Sequence, residues 1–255
     1  MPMSDADLAL RALRLLDLTD LSDQASETGA LQLCARAVAV PGPVAAICIW
    51  PQFVKLARQT LKGSPVRIAT VINFPAGNSN CSLIGSDINE AIADGADEID
   101  LVLPWRAFLA GDVEIAREMV AEARGSCGDK TLKVILETGE YPARASVRAA
   151  SELAIAAGAD FIKTSTGKTR ISATPEAART MLEAIKASGR PVGLKPSGGL
   201  RTLADAKSYL DLAGELMGPD WATQKTFRFG ASGLYGVLAD IIAGTAPAER
   251  TDGAY

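Results

Sequence analysis

The sequence contains no histidine, and this absence restricts the chemistry that the chain can carry out. Serine and cysteine nucleophiles that depend on a histidine base are excluded within the chain. Imidazole is also the commonest protein ligand of transition metals, so we expect no metal site. Proton transfers must therefore use Asp, Glu, Lys, Tyr, Cys or water.

A long apolar run and an excess of basic residues are also missing. No stretch of eighteen apolar residues occurs, which predicts that no segment spans a membrane. The net charge is −4, and phosphate backbones require clustered Lys and Arg, so we expect no nucleic acid partner. Segment 1–14 contains four charged residues and lacks the apolar core of a signal peptide.

The four cysteines, Cys34, Cys48, Cys81 and Cys127, form neither a C-x-x-C pair nor a zinc-finger spacing. Reduced thiols are typical of cytosolic proteins, in which disulfides are rare. Together with the missing signal peptide, this spacing favours a cytoplasmic protein.

Eight short runs rich in apolar and β-branched residues recur along the chain and predict strands. Such short runs are typical of parallel strands that are covered by helices. The predicted strands are 15–19, 45–50, 67–72, 98–103, 132–137, 161–164, 192–195 and 227–230.

Helix signals lie between the predicted strands. Thr174, followed by proline and glutamate, is typical of a helix N-cap and first turn. Thr202 with Asp205 three residues later resembles a capping box. Segment 143–158 is rich in alanine and ends in a glycine suited to a C-terminal cap.

Alternating strands and helices predict an α/β protein with a (β/α)8 TIM barrel as a single domain over residues 1–255. The competing open, doubly wound sheet usually shows a G-x-G-x-x-G pattern after its first strand, and this sequence has none there. The tail from about residue 244 is rich in Gly, Ala, Pro and charged residues, and we expect it to be mobile.

Two lysines lie near the carboxyl ends of predicted strands, where such barrels place their active sites. Lys163 and Lys195 each precede a loop, whereas Lys133 lies near the start of its strand, at the end associated with stability. Either strand-end lysine could belong to a structural ion pair. Alternatively, a second ammonium and partial burial could lower a lysine pKa from its usual value of about 10.4 and leave a nucleophilic amine.

Glycine-containing loops follow the last three predicted strands at the same end of the barrel. Glycine lets backbone N–H groups approach phosphate oxygens, and loops after strands seven and eight are the usual phosphate site of this fold. Each loop alone is most often a turn, but together they predict a phosphate site. The candidate residues are Thr166, Gly167, Lys168, Gly198, Gly199, Ser232 and Gly233.

Two carboxylates lie within apolar strands and therefore need partners. A lysine across the barrel would supply one for Asp100, which is the candidate proton-transfer group. Asp17 has either a structural role, holding a loop or a neighbouring lysine, or a supporting catalytic one. Cys48 is more often a small apolar filler than a catalytic thiol.

These segments resemble the signatures of the deoxyribose-phosphate aldolase family, and the similarity runs from about Leu8 to the end. The resemblance implies a class I, Schiff-base aldolase that acts in deoxyribonucleoside catabolism without a cofactor. Its reaction would split 2-deoxy-D-ribose 5-phosphate reversibly into D-glyceraldehyde 3-phosphate and acetaldehyde. The similar segments are 16–19, 46–49, 95–100, 161–167, 192–199 and 228–232.

The resemblance also implies roles for single residues. Lys163 would form the Schiff base, Lys195 would lower its pKa, Asp100 would move protons and the C-terminal Tyr255 would help to protonate the enamine. Cys48 would lie in the substrate site.

One departure from the family pattern is Gly233, where many relatives have a second serine, so one hydroxyl contact to the phosphate is lost. The resemblance further implies a homodimer.

Two other functions remain open at this point. A sugar-phosphate isomerase could use Asp100 as its base on the same barrel, without needing two strand-end lysines. A non-catalytic barrel could bind a sugar phosphate and regulate a partner.

Overall fold

The computed structural model describes residues 3–246, and within this range eight parallel strands form one sheet that curls into a barrel. The prediction of a single-domain (β/α)8 barrel is confirmed. The strands are β1 (Leu16–Asp20), β2 (Ala46–Ile49), β3 (Arg67–Ile72), β4 (Glu98–Val102), β5 (Thr131–Ile135), β6 (Phe161–Lys163), β7 (Gly193–Lys195) and β8 (Phe229–Ala231).

The barrel is nearly closed. Each strand pairs with its sequence neighbour from β1 to β7, and β8 pairs with β1. The remaining seam, between β7 and β8, is bridged at two isolated positions, Leu194 with Phe227 and Ser197 with Gly230. The carboxyl ends of the strands therefore meet at one mouth of the barrel.

Helices surround the barrel in the described part of the chain. They are α1 (Asp5–Arg14), α2 (Glu27–Val38), α3 (Val54–Thr60), α4 (Ile84–Ala93), α5 (Trp105–Leu109), α6 (Val113–Cys127), α7 (Arg144–Ala156), α8 (Pro175–Ser188), α9 (Leu203–Met217) and α10 (Leu234–Ile242). Two predicted caps are confirmed. Thr174 accepts a hydrogen bond from the Ala177 amide at the start of α8, and Thr202 and Asp205 form a reciprocal capping box at α9.

The main apolar core lies between the sheet and the surrounding helices. A second, smaller apolar cluster consists of Leu21, Cys48, Ala69 and Val71 from the β1–β3 side of the sheet. All four cysteines are free thiols. Between residues 3 and 246, no helix combines the length and apolar character needed to cross a membrane.

Two strand boundaries differ from the prediction by two residues, and both differences have local reasons. Strand β5 ends at Ile135 because Glu137 has a left-handed backbone, with φ of 63°, and precedes a 3-10 turn at Thr138–Glu140. Strand β8 begins at Phe229 because the Arg228 amide donates to the Leu194 carbonyl oxygen, whereas the Phe229 amide donates to Leu15 beside β1.

Candidate active site

Two lysine amines converge on one carboxylate oxygen inside the barrel. The Nζ atoms of Lys163, at the end of β6, and Lys195, at the end of β7, each lie 2.8 Å from Oδ2 of Asp100 on β4. All three side chains are buried. The parallel register places Lys163 directly beside Lys195 on neighbouring strands. The structure thus brings together the three residues that the sequence identified as candidates for Schiff-base chemistry.

Lys133 also belongs to this group of charges, which corrects its assignment to the stability end of the barrel. Its Nζ lies 2.8 Å from Oδ1 of Asp100 and 2.6 Å from Oε2 of Glu98. Lys133 pairs with Asp100 in the β4–β5 register, and its long side chain carries the amine to the shared carboxylate. Asp100 therefore receives a lysine on each oxygen.

Arg228 and Asp17 complete the arrangement. One guanidinium nitrogen of Arg228 lies 2.6 Å from Oδ1 of Asp17, and the other lies 2.8 Å from Oε1 of Glu98. The Oδ2 atom of Asp17 lies 2.5 Å from Nζ of Lys195. We call the connected set the buried ion cluster, and its members are Asp17, Glu98, Asp100, Lys133, Lys163, Lys195 and Arg228.

The buried ion cluster contains four basic side chains and three carboxylates. A buried charge without a counter-charge is costly, so one of the three lysines should be neutral. Burial lowers the pKa of Lys163, and the Lys195 ammonium lowers it further, although Asp100 opposes both effects. Lys163 is therefore the amine best suited to carry no proton.

The other two lysines stay charged for the opposite reason. Burial disfavours the ammonium of Lys195, but the Asp100 and Asp17 carboxylates outweigh it and hold the Lys195 pKa well above its usual value. The Asp100 and Glu98 carboxylates likewise raise the pKa of Lys133 against burial. For Asp100, burial favours the protonated form, yet the three lysines hold its pKa well below the usual range.

Cys48 lies beside the amines but has the environment of an apolar filler. Its Sγ atom is 4.0 Å from Oδ2 of Asp100, and burial raises the pKa of the thiol. The smaller apolar cluster surrounds it, and Trp50 and Phe74 pack against that cluster at its edge. A cavity of about 520 Å³ borders Trp50, Val71 and Phe74. The smaller apolar cluster thus places apolar surface close to the lysine amines, whereas the lining of the cavity includes no residue of the buried ion cluster.

The loops after β6 and β7 meet at the mouth of the barrel. A Cβ atom added at Gly198 would lie 3.2 Å from Cα of Gly167, and both glycines have positive φ. Gly199 also has a positive φ of 79°. Across residues 3–246, the N–H groups of Gly167 and Gly199 have no hydrogen-bond partner. These two donors have the character expected of an anion site.

Ser232 and Gly233 lie at the start of the last helix. Gly233 is the N-cap of α10, and Ser232 precedes it as a partly exposed residue. The first N–H groups of a helix are suited to binding an anion, so Gly233, which has no hydroxyl, still leaves these backbone donors in place. The ammonium of Lys168 lies 3.3 Å from the exposed carboxylate of Asp23. Tyr255 lies outside the described residues.

Thr166 was predicted to contact the phosphate, but the structure directs its donors elsewhere. Its side chain is fully buried, and both its amide and its hydroxyl donate to the carboxylate of Glu137. Thr166 therefore supports the loop from below instead of offering a donor to a substrate. Glu137 was missed in the sequence, although a carboxylate as the last residue of the predicted strand 132–137 was a signal that could have identified it.

A profile of the DeoC/LacD family aldolases matches residues 14–233, which includes nearly the whole barrel. The chain belongs to the DeoC/LacD family of aldolases. The curated deoxyribose-phosphate aldolase of Agrobacterium fabrum strain C58 is 52% identical over 223 residues, which cover 87% of this chain and 86% of that protein.

Solved structures of aldolases also resemble this DeoC/LacD family member. A Toxoplasma gondii ME49 protein, provisionally assigned as a deoxyribose-phosphate aldolase, superposes in its apo form with a TM-score of 0.87 at 26% identity. The match covers 96% of this chain and 99% of that one. The aldolase QR15 gives a TM-score of 0.78 at 28% identity, covering 91% and 96% of the two chains. The prediction of an aldolase is thereby confirmed.

Proposed function

We propose that this aldolase reversibly cleaves 2-deoxy-D-ribose 5-phosphate into D-glyceraldehyde 3-phosphate and acetaldehyde through a Schiff base on Lys163. The observation that carries the proposal is the sharing of one Asp100 oxygen by the Lys163 and Lys195 amines. The similarity to a curated enzyme of that name supports the choice of substrate.

The reaction follows from a neutral amine beside a carboxylate. The Lys163 nitrogen attacks the aldehyde carbon of the open-chain sugar, and loss of water leaves a protonated imine. The bond between carbons two and three then breaks as the hydroxyl on carbon three gives up its proton to a base and becomes an aldehyde, and the electron pair of the broken bond moves into the imine to give an enamine. Glyceraldehyde 3-phosphate leaves, the enamine is protonated at carbon two, and water releases acetaldehyde and restores the amine.

The remaining members of the site have separate tasks in this proposal. Asp100 touches the reacting nitrogen and moves protons during imine formation and hydrolysis. Lys195 keeps the Lys163 amine neutral by its own charge, and Asp17 holds Lys195 in place. The loops after β6, β7 and β8 bind the phosphate group through the Gly167 and Gly199 amides, the Lys168 ammonium, and Ser232 and Gly233. Gly198 shapes this site by its positive φ, because its own N–H donates to the Gly230 carbonyl oxygen at 3.1 Å. The apolar surface beside Cys48 accommodates the two-carbon fragment.

The direct test is a product assay with purified protein and 2-deoxy-D-ribose 5-phosphate. We expect equal amounts of glyceraldehyde 3-phosphate and acetaldehyde, each measured with a coupled dehydrogenase. An isomerised sugar phosphate without cleavage would support the isomerase instead. Calorimetric binding of the sugar phosphate without any turnover would support a non-catalytic barrel.

The Lys195→Leu variant is expected to move the pH dependence of imine formation to higher pH. Removing the Lys195 charge lets Lys163 hold its proton, because three basic side chains then face three carboxylates in the buried ion cluster. Each unit by which the Lys163 pKa rises slows imine formation at neutral pH by about tenfold. The measurement is the rate of borohydride trapping with acetaldehyde between pH 6 and 10.

Lys207→Leu is the matched control for this experiment, because Lys207 pairs with Asp211 on the exposed surface of α9. Its trapping profile should equal that of the wild type. A Lys195→Leu profile that shifts to lower pH, or does not shift, would contradict an electrostatic role for Lys195.

We also propose a cytoplasmic homodimer, as the sequence resemblance implies. The deoxyribose phosphate aldolase of Aeropyrum pernix is described as a unique tetramer. It is 23% identical to this chain, covers 93% of it and has a TM-score of 0.75. A dimer and a tetramer are therefore the competing outcomes. Light scattering at micromolar concentration should give twice the chain mass of 26.6 kDa. Four times that mass would contradict the dimer.

A further inference from the structure

The carboxylate of Glu137 lies buried beneath the loop that follows the Schiff-base candidate. Its Oε1 atom accepts from the Thr166 amide at 3.1 Å and from the Thr169 hydroxyl at 3.2 Å. Its Oε2 atom accepts from the Thr166 hydroxyl at 2.6 Å. Glu137 makes no ion pair with the buried ion cluster among the described residues. Its acceptor capacity is therefore directed at one loop.

The Thr166 hydroxyl links Glu137 to the next residues of the loop. While it donates to Glu137, it accepts from the Lys168 amide at 3.0 Å. The Lys168 N–H therefore points into the protein, and the turn around Gly167 is fixed from below at residues 166, 168 and 169. Gly167 adopts a φ of 82° at the top of this turn, where its own N–H has no partner within residues 3–246.

Glu137 is itself held in register with Lys163 by the backbone. The amide of Leu136, one residue before it, donates to the Lys163 carbonyl oxygen at 2.9 Å. The amide of Thr138, one residue after it, donates to the Thr164 carbonyl oxygen at 2.8 Å. These two bonds, with the left-handed backbone of Glu137, aim its side chain at the loop. One residue thus connects the strand that carries the reactive amine to the candidate phosphate donors.

We propose that Glu137 is a positioning residue that sets the distance between the phosphate-binding loop and the Lys163 amine. It does not touch the substrate. This inference rests on the proposed function, because it assumes a substrate with an aldehyde at one end and a phosphate at the other. Fixing both ends of such a substrate holds the reacting carbon at the nucleophile.

A positioning role would weaken the reactions that use the phosphate and leave imine formation unchanged. A general structural role would weaken both. Imine formation with acetaldehyde needs Lys163 but no phosphate site. Condensation with glyceraldehyde 3-phosphate needs both, whereas condensation with D-glyceraldehyde lacks the phosphate contact. Loss of Glu137 should therefore weaken only the reactions that use the phosphate.

The test compares Glu137→Ala, Glu137→Gln and Thr169→Val with the wild type in the condensation direction. For Glu137→Ala we expect the KM for glyceraldehyde 3-phosphate to rise at least about tenfold, since hydrogen bonds to a charged group are lost. The kcat/KM for D-glyceraldehyde and the borohydride trapping of acetaldehyde should stay within about twofold. Glu137→Gln keeps one acceptor oxygen for the Thr166 amide and should recover part of the loss. Thr169→Val removes one of the three hydrogen bonds and should have the smallest effect.

Glu140→Gln is the matched control, because Glu140 lies in the same turn but is exposed. Its KM and kcat/KM should equal those of the wild type with both acceptor aldehydes, glyceraldehyde 3-phosphate and D-glyceraldehyde. A calorimetric titration with inorganic phosphate is a second measurement, and it requires no turnover. Glu137→Ala should bind phosphate about tenfold more weakly than the wild type. Folding of each variant is checked by circular dichroism.

Three outcomes separate the hypotheses. Unchanged phosphate affinity in folded Glu137→Ala would overturn the positioning role. Equal losses with both acceptors and in acetaldehyde trapping would also overturn it, because they indicate a general structural effect. A wild-type protein that binds phosphate but neither cleaves nor condenses would contradict the proposed function, while the phosphate titration would still test Glu137.

Discussion

The Lys163→Leu variant is expected to lose at least about a thousandfold in turnover of 2-deoxy-D-ribose 5-phosphate. Removal of a covalent nucleophile costs up to about 10⁶-fold in kcat in well-studied hydrolases. No other lysine of the buried ion cluster can replace it easily, because carboxylates raise the pKa values of both Lys133 and Lys195. Those two amines keep their protons and are poor nucleophiles.

Borohydride reduction in the presence of acetaldehyde provides the measurement for this variant. The wild type should gain a stable ethyl group, and peptide mass mapping should place it on Lys163. The Lys163→Leu variant should gain none within the buried ion cluster. An adduct on Lys133 or Lys195 in the wild type, or cleavage retained in the variant, would reject Lys163 as the nucleophile.

The Lys133→Leu variant is expected to be destabilised by about 3–5 kcal/mol, because removing one partner of a buried ion pair leaves an uncompensated charge. Lys133 lies between Asp100 and Glu98 with no exposed surface on its side chain. Lys163→Leu replaces an amine that we expect to be neutral, so its cost should stay below about 1.5 kcal/mol. Two lysines of the same cluster should therefore differ clearly in their effect on folding.

Urea denaturation of the two variants measures this difference directly. Lys130→Leu serves as a control, since Lys130 is partly exposed and its nearest carboxylate, Asp129, is 4.0 Å away. Its free energy of unfolding should change by no more than about 0.5 kcal/mol. Equal destabilisation by Lys133→Leu and Lys163→Leu would mean that Lys163 is charged at rest, which would remove the electrostatic basis of the proposed mechanism.

The sequence predicted those site residues whose place in the barrel follows from their position along a strand. Lys163 and Lys195 end short apolar strands, so the barrel rule places both at one mouth, and the structure has them there. Asp100 is a carboxylate within an apolar strand and therefore implied a buried cation nearby. The helix caps at Thr174 and Thr202 were also predictable, because capping depends on residues only three positions apart.

The residues that the sequence did not reveal act through long side chains and distant partners. Lys133 lies in the middle of β5 and directly beside Asp100 in the β4–β5 register, and this pairing between strands brings its amine to the carboxylate. Arg228 reaches Asp17 and Glu98, which lie 211 and 130 residues away in the chain. Glu137 depends on a left-handed backbone that favours glycine, and its partner Thr166 is 29 residues away. Periodicity and local spacing can mark such a residue as a candidate, but they do not identify its distant partner.

The unequal numbers of basic and acidic side chains in the barrel also bear on the direction of electron flow. With an uncharged Lys163, the interior is electrically balanced, but a protonated imine on that nitrogen adds a positive charge in a site shielded from solvent. In the proposed reaction the nitrogen becomes neutral when the carbon–carbon bond breaks, because it receives the electron pair of that bond, and the positive charge passes to the proton that the carbon-three hydroxyl releases. The resting charge balance then returns once that proton has left the barrel interior.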